Sequence, residues 1–272
     1  MAVIAVYNMR KVAVEEGYID ENADAKVCQD IVLKALAEST LSRNVTIKGG
    51  VAMRGLSNDA RRATQDMDID FIRYSLGDDS IMAFIDKINC LPNIRIEQYG
   101  EIEELRQQDY HGKRVFVRIS DESGDSIDSK IDLGVHKHLN IMQEEYCFDI
   151  ACFDGGANLL INSMEQMFTE KLRSLLKFGQ NSTRFKDIFD LCYLSERLDK
   201  EKLGSCFDTY IFSDTGMREN SIEDICRRVQ NTFSQKKYLS RLSTSRKNWL
   251  GIPEKEALDK IEQYLISLKE QP

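Results

Sequence analysis

The clearest pattern in the chain is the alternation of acidic and apolar residues over 66–71. Because successive side chains of a strand point to opposite faces, it predicts a strand at 65–73 with Asp66, Asp68 and Asp70 on one face. A helix would scatter the same acids around its axis and leave no apolar stripe. Carboxylates on one face repel each other, and a hard cation such as Mg²⁺ is the simplest compensation. A solvated, ion-paired edge strand is the alternative.

Apolar periodicity elsewhere predicts an α+β protein with a mixed β-sheet flanked by helices. Up to residue 160 the predicted helices are 24–40, 51–56 and 81–90, and the predicted strands are 45–48, 65–73, 94–99, 102–105, 113–120, 129–135 and 147–152. Beyond it we predict only helices, at 163–178, 184–194, 199–210, 220–233, 236–243 and 254–269. The expected domains are therefore a sheet-containing core over 1–160 and a helical C-terminal subdomain over 161–272.

Two glycines, Gly49 and Gly50, lie between the predicted strand 45–48 and the helix that follows. Glycines in this position let backbone N–H groups approach a phosphate, and the helix dipole favours the negative charge. A plain turn is the alternative. A phosphate cradle followed by metal-binding carboxylates describes a nucleoside triphosphate site.

A lone acid, Asp132, lies between Ile131 and Leu133 on the strand predicted at 129–135. On a strand its side chain points away from these two apolar neighbours, where the acids of another strand can meet it. Asp132 is thus a candidate third metal ligand. An exposed aspartate on an edge strand is the alternative.

The overall charge of −8 argues against a protein that coats nucleic acid generally, because phosphate contacts need clustered Lys and Arg. Residues 236–247 carry five positive charges and no negative one, which makes them the best candidate for an RNA-backbone contact; a solvated face is the alternative. Seven scattered cysteines without Cys-x-x-Cys spacing are typical of a reduced, cytoplasmic protein. No long apolar stretch predicts a membrane span.

Four motifs occur in a fixed order. They are Lys-Gly-Gly at 48–50, Arg-x-Thr-x-Asp-x-Asp at 62–68, Glu-Lys-Leu at 170–172 and Asn-Ser-x-Arg-x-Lys-Asp-x-x-Asp-Leu at 181–191. The set resembles the AbiEii/AbiGii-type nucleotidyltransferase toxins of abortive-infection and type IV toxin–antitoxin systems, within the polymerase-beta-like superfamily. The resemblance implies a nucleotidyltransferase core with an N-terminal helix, and a helical subdomain that carries the Lys171/Asp187 motif.

The resemblance also implies roles for individual residues. Asp66, Asp68 and Asp132 are expected to hold Mg²⁺ in a two-metal site, with Asp70 competing with Asp66 for its place. Lys171 and Asp187 complete the expected catalytic set. The expected nucleotide-binding residues are Lys48, Gly49, Gly50, Thr64, Arg184 and Lys186.

The implied activity is Mg²⁺-dependent transfer of a nucleoside monophosphate from an NTP to an acceptor, with tRNA or another RNA as the expected acceptor. The implied partner is a cognate antitoxin encoded nearby, which need not bind the toxin directly. Two alternatives stay open. One is a kinase-like phosphotransferase on the same fold, and the other is a non-catalytic NTP-binding regulatory protein.

Overall fold

The computed structural model describes residues 5–107, 110–153 and 155–269 and has a mixed α+β architecture. This confirms the predicted fold class. The chain forms two compact units, Met1–Asn162 and Ser163–Pro272. No helix in the described part of the chain is both long and apolar enough to cross a bilayer.

A seven-stranded sheet forms the centre of the first unit. Its strands are β1 (Val45–Lys48), β2 (Met67–Phe71), β3 (Ile94–Gln107), β4 (Tyr110–Asp121), β5 (Ser126–Val135), β6 (Glu144–Phe148) and β7 (Ala157–Ile161). Their order is β3-β4-β5-β2-β1-β7-β6. β2 is antiparallel to β1 and parallel to β5, and β1 is parallel to β7, so the sheet is mixed.

The alternation that predicted β2 is present in the structure. Met67, Ile69 and Phe71 are each at most 2 % exposed. The strand begins at Met67 rather than at residue 65, so Asp66 lies just before it. The apolar face therefore supplies the core, and the acids are directed to the other face.

Four helices accompany this sheet: α1 (Val6–Glu15), α2 (Glu21–Glu38), α3 (Gly49–Ser57) and α4 (Asp78–Ile88). α2 is buried along most of its length, and the charge of its buried residue Asp30 is compensated by neighbouring basic side chains. Asp30 is fully buried and accepts hydrogen bonds from Lys26, from Arg54 of α3 at 3.2 Å, and from the amide of Ala151 at 3.3 Å. A buried carboxylate is tolerated only when it is satisfied in this way.

The predicted elements differ from the structure in three respects. First, strand β7 and helix α1 were not predicted, although β7 lies beside β1 near the middle of the sheet. The strand predicted at 147–152 ends at Phe148. The strands predicted at 94–99 and 102–105 form the single strand β3, with a shift of register between Tyr99 and Glu103. Gly100, with φ +69°, supplies the backbone conformation that this irregularity requires.

In the second unit, all regular elements of the described residues are helices or helical turns. Its helices are α5 (Met164–Phe178), α6 (Phe185–Ser195), α7 (Lys200–Phe207), α8 (Ile222–Phe233), α9 (Lys236–Thr244) and α10 (Glu254–Ser267), with a 3₁₀ turn at Gly179–Asn181 and a π turn at Asp208–Phe212. Ser163 caps α5 by accepting a hydrogen bond of 3.1 Å from the amide of Gln166. Phe168, Phe189 and Phe207 are among its fully buried side chains.

Candidate active site

Four charged residues occupy consecutive registered positions across the sheet. Lys48 of β1 pairs with Asp68 of β2, Asp68 with Asp132 of β5, and Asp132 with Arg114 of β4. Registered residues of neighbouring strands project to the same face. The row therefore consists of a cation, two acids and a second cation. It brings together Asp68 and Asp132, two of the three expected metal ligands.

The outer acid of this row is held by an arginine. The Arg114 guanidinium donates two hydrogen bonds to the Asp132 carboxylate, of 2.7 and 2.8 Å. The paired Asp132 carboxylate raises the pKa of Arg114, so the guanidinium stays charged. Sequence reasoning missed Arg114. The polar stretch 121–125 contained a signal for it, because a hairpin that pairs Ser120 with Ser126 also pairs Arg114 with Asp132.

The two candidates for the remaining ligand have different surroundings. Asp70 is 5 % exposed, and its carboxylate lies 2.6 Å from the Lys48 ammonium. Asp66 has a side chain 54 % exposed and lies 2.8 Å from the Lys130 ammonium. The buried lysine compensates Asp70, whereas an exposed ion pair such as Asp66–Lys130 is weak and exchanges readily. This difference favours Asp66 as the ligand.

Asp68, at the centre of the row, makes no ion pair with any described residue. The pKa of its carboxyl is raised to about 6, chiefly by burial; Lys48 opposes the shift, and the carboxylates of Asp132, Asp66 and Asp70 contribute to it. A half-buried carboxylate among other carboxylates is short of positive charge. A cation bound at Asp68 would therefore supply positive charge that the surrounding side chains do not.

Gly49 packs directly on Asp68, and Gly50 packs on Thr64. Helix α3 begins at Gly49, where φ is +60°, and a Cβ atom there would overlap the Oδ2 atom of Asp68. A Cβ atom at Gly50 would overlap the Thr64 side chain. The structure thus brings Gly49, Gly50 and Thr64 to Asp68, with the N-terminus of α3 beside its carboxylate. The free N–H groups of a helix N-terminus are suited to a phosphate.

Lys171, in the second unit, lies between two carboxylates. Its ammonium is 2.9 Å from Asp187 and 2.8 Å from Asp190, and Asp190 also accepts a 3.0 Å hydrogen bond from the Trp249 indole. Asp190 is fully buried, while the Asp187 side chain is 18 % exposed. Asp187 therefore meets Lys171 as expected, and Asp190 anchors the pair. Trp249 was not predicted.

Two further expected nucleotide-binding residues lie at the start of α6. Arg184 immediately precedes this helix and is exposed, and Lys186 lies half-buried in its first turn.

The donor chemistry of the acidic row fits Mg²⁺, which prefers carboxylate oxygens and substrate phosphates. Among the described residues, no three acidic, histidine or cysteine side chains lie close enough to enclose an ion. Asp66 and Asp132 are directed to Lys130 and Arg114 instead. A cation at Asp68 would therefore exchange with these two basic groups.

The chain was compared with protein families, curated proteins and solved structures. The family described as "Nucleotidyl transferase AbiEii toxin, Type IV TA system" matches residues 31–261. Among solved structures, an antigenic nucleotidyltransferase-like protein from Paracoccidioides brasiliensis is similar, with a TM-score of 0.43 and 16 % identity over 81 % of this chain and 92 % of that chain. No curated protein matches. Because the family match spans most of the chain, this protein belongs to the AbiEii family of nucleotidyl transferase toxins.

Proposed function

We propose that this protein transfers a nucleoside monophosphate from an NTP to an RNA acceptor, with tRNA as the best candidate. The observation that carries the proposal is the registered pair Asp68 and Asp132, which lies beside the Gly49–Gly50 start of α3. Paired carboxylates next to a phosphate-binding helix N-terminus are what metal-dependent transfer from a triphosphate requires.

Asp66, Asp68 and Asp132 would hold Mg²⁺, in a two-metal site when the nucleotide is bound. Bound Mg²⁺ lowers the pKa of an attacking hydroxyl and neutralises charge on the phosphates. To act as a ligand, Asp132 gives up at least one of its two hydrogen bonds to Arg114. The released guanidinium is then available to phosphate oxygens, for which its geometry is suited.

The remaining candidates act on the nucleotide. The backbone N–H groups of Gly49 and Gly50 bind the β and γ phosphates, and Lys48 and the Thr64 hydroxyl support them. Lys171 neutralises charge on the phosphates, and Asp187 orients its ammonium over 2.9 Å. Arg184 and Lys186 bind nucleotide or RNA phosphates.

The chemical step balances without any further reactant. The oxygen of an acceptor hydroxyl attacks the α-phosphorus, and a new phosphoester bond forms. The bond from the α-phosphorus to the bridging oxygen breaks, and pyrophosphate leaves with that electron pair. The hydroxyl proton passes to the Asp132 carboxylate and from there to water.

The proposal is tested with purified protein, Mg²⁺, total tRNA and each NTP labelled in turn at the α and the γ phosphate. We expect α label in RNA from the wild type and none from Asp132→Asn. The matched control is Asp128→Asn, because Asp128 lies on the same strand and is held by Arg118 over 2.6 and 2.8 Å in the same two-bond arrangement. This control is expected to keep full activity.

Other labelling results lead to the alternatives. Transfer of the γ label alone would make the protein a phosphotransferase. Intact NTP binding without transfer to RNA or protein would make it a regulatory binding protein. In both cases nucleotidyl transfer is rejected.

We further propose that the protein acts in the cytoplasm as the toxin of a pair whose antitoxin is encoded nearby. The seven cysteines are free, which suits a reducing compartment. The antitoxin need not contact this chain. Growth arrest on expression of the wild type, and its absence with Asp68→Asn, would support toxicity through the acidic row.

A further inference from the structure

The connection between α5 and α6 is held by two arginines that form no ion pair with any acid in the described part of the chain. Arg241 of α9 donates hydrogen bonds to the carbonyl oxygens of Gln180 and Ser182, at 3.1 and 3.2 Å. Arg228 of α8 donates to the carbonyl oxygen of Leu176 at 3.2 Å. A carbonyl is neutral, so both guanidinium groups hold the connection in place and keep their full positive charge.

Three cations elsewhere in this unit are neutralised by acids. Arg173 pairs with Asp214, Arg227 with Asp224, and Lys260 with Glu196. These pairs involve residues away from the α5–α6 connection.

Two further positively charged side chains, Arg184 and Lys237, lie in or near this connection. Arg184 within it is exposed, and Lys237 is exposed one turn before Arg241 on α9. Neither of these two side chains forms an ion pair with a described residue. Because positions i and i+4 share a helix face, Lys237 and Arg241 face the connection together. A chain with a net charge of −8 thus presents four cations around one short segment.

An exposed aromatic side chain precedes the same segment. Phe178, the last residue of α5, is 49 % exposed, although the next aromatic along the chain, Phe185, is 9 % exposed. Gly179 follows with φ +51°, and a Cβ atom there would lie 3.0 Å from the Arg228 guanidinium. An exposed ring beside cations is the combination that binds unpaired nucleotides, since bases stack on the ring and phosphates meet the cations.

The other side of α9 has the opposite character. A groove of about 500 Å³ between α9 and α10 is lined by Leu239, Leu258, one cation, Lys255, and the three acids Glu254, Asp259 and Glu262. The acids outnumber the cation, and their carboxylates repel phosphate. This groove is therefore less suited to RNA than the side of α9 that faces the α5–α6 connection.

We propose that this surface binds an unpaired segment of RNA. Its members, the α5–α6 surface, are Phe178, Arg184, Arg228, Lys237 and Arg241. The cations bind successive phosphates, and Phe178 stacks on a base. The inference rests on the proposed function, because it assigns the place where the acceptor RNA is held.

The test measures binding of a fluorescein-labelled single-stranded RNA of about twelve nucleotides by anisotropy, a length suited to such surfaces. It uses the full chain without Mg²⁺ or NTP. We expect Phe178→Ala to weaken binding by about fivefold or more. Arg184→Glu and Lys237→Glu are expected to weaken binding and to reduce the slope of log affinity against log salt by about 0.7 for each lost phosphate contact. Phe178→Ala leaves that slope unchanged.

Two matched controls are available in the same unit. Leu239→Ala removes an apolar side chain that is 38 % exposed in the acidic groove, and Lys200→Glu reverses an exposed charge at the start of α7. Both are expected to bind RNA as the wild type does. A duplex RNA of the same length is expected to be insensitive to Phe178→Ala, because its bases are already stacked.

The outcomes separate this inference from the proposed function. Unchanged RNA binding in all three variants, with nucleotidyl transfer intact, would overturn the surface alone. Binding that depends on Phe178, in a protein that transfers no nucleotide, would support the surface and reject the transfer reaction. An equal loss with the control Lys200→Glu would also overturn the surface, since binding would then follow overall charge.

Discussion

Arg114 holds Asp132 through two nearly parallel hydrogen bonds of 2.7 and 2.8 Å, at the edge of a row of charges that crosses four strands. In the proposed metal site, this arginine and a metal ion would compete for the same carboxylate oxygens. The Arg114–Asp132 pair would then control how readily a cation binds between Asp68 and Asp132.

Removing the competitor should strengthen metal binding. For Arg114→Gln we expect Mn²⁺, used in place of Mg²⁺, to bind about three- to tenfold more tightly without nucleotide, because an ion then compensates Asp132. Titration calorimetry and electron paramagnetic resonance measure this directly. Arg118→Gln, which releases Asp128 on the same strand, should leave Mn²⁺ affinity unchanged. Equal or weaker Mn²⁺ binding by Arg114→Gln would contradict the competition.

The raised pKa of Asp68 gives a stability effect with a definite sign. Its pKa is about 6 in the folded protein against an ordinary value of 3.8, so the folded state binds more protons between these values. The free energy of unfolding therefore falls as pH rises from about 4 to about 6, and the penalty persists above that range.

Asp68→Asn should remove this penalty. In EDTA at pH 8 we expect the variant to exceed the wild type in unfolding free energy by on the order of 1–3 kcal/mol. The gain should vanish near pH 3.5, where the wild-type carboxyl is protonated in both states. Urea unfolding at the two pH values measures the difference. Asp128→Asn should show no gain, because Arg118 lowers the pKa of Asp128. A variant less stable than the wild type at pH 8 would count against the shift.

Gly49 is needed for space as well as for backbone conformation. Gly49→Ala should cost the roughly 1–2 kcal/mol of a left-handed residue and also displace Asp68, whose oxygen occupies the position of the new Cβ. Gly100→Ala is the control, because Gly100 has φ +69° with open space around it and incurs the backbone cost alone. Only Gly49→Ala should lose Mn²⁺ affinity. Equal metal binding by both variants would show that Gly49 does not pack on the site.

Substitutions of the two carboxylates around Lys171 should have different effects, one mainly on stability and the other mainly on activity. Asp190→Ala removes the buried carboxylate that accepts from both the Lys171 ammonium and the Trp249 indole. We expect the free energy of unfolding to fall by about 3–5 kcal/mol. Urea unfolding monitored by Trp249 fluorescence measures this loss. Asp187 is partly exposed, so Asp187→Asn should lose less than about 1 kcal/mol. Its nucleotidyl transfer should nevertheless fall at least about tenfold if Asp187 orients Lys171 as proposed. Similar stabilities for the two variants would contradict this division.

Local patterns carried the prediction of the fold class and of the acidic strand, because side-chain alternation within a strand depends on neighbours in the chain. The period-two repeat over 66–71 predicted β2, and the order of four motifs led to the AbiEii family, which the family match confirms. The assignment of catalytic roles to individual residues stays a prediction.

Only the tertiary structure decided which charges meet. The order β5-β2-β1-β7 places Asp132 beside Asp68 and inserts β7, whose five residues lack a periodic signal of their own. The partners of Asp70, Asp66 and Asp132 are chosen by this long-range pairing, because residues far apart in sequence become neighbours only once strands are ordered. The sequence thus determined which groups are available for chemistry, and the sheet determined that they lie in one row.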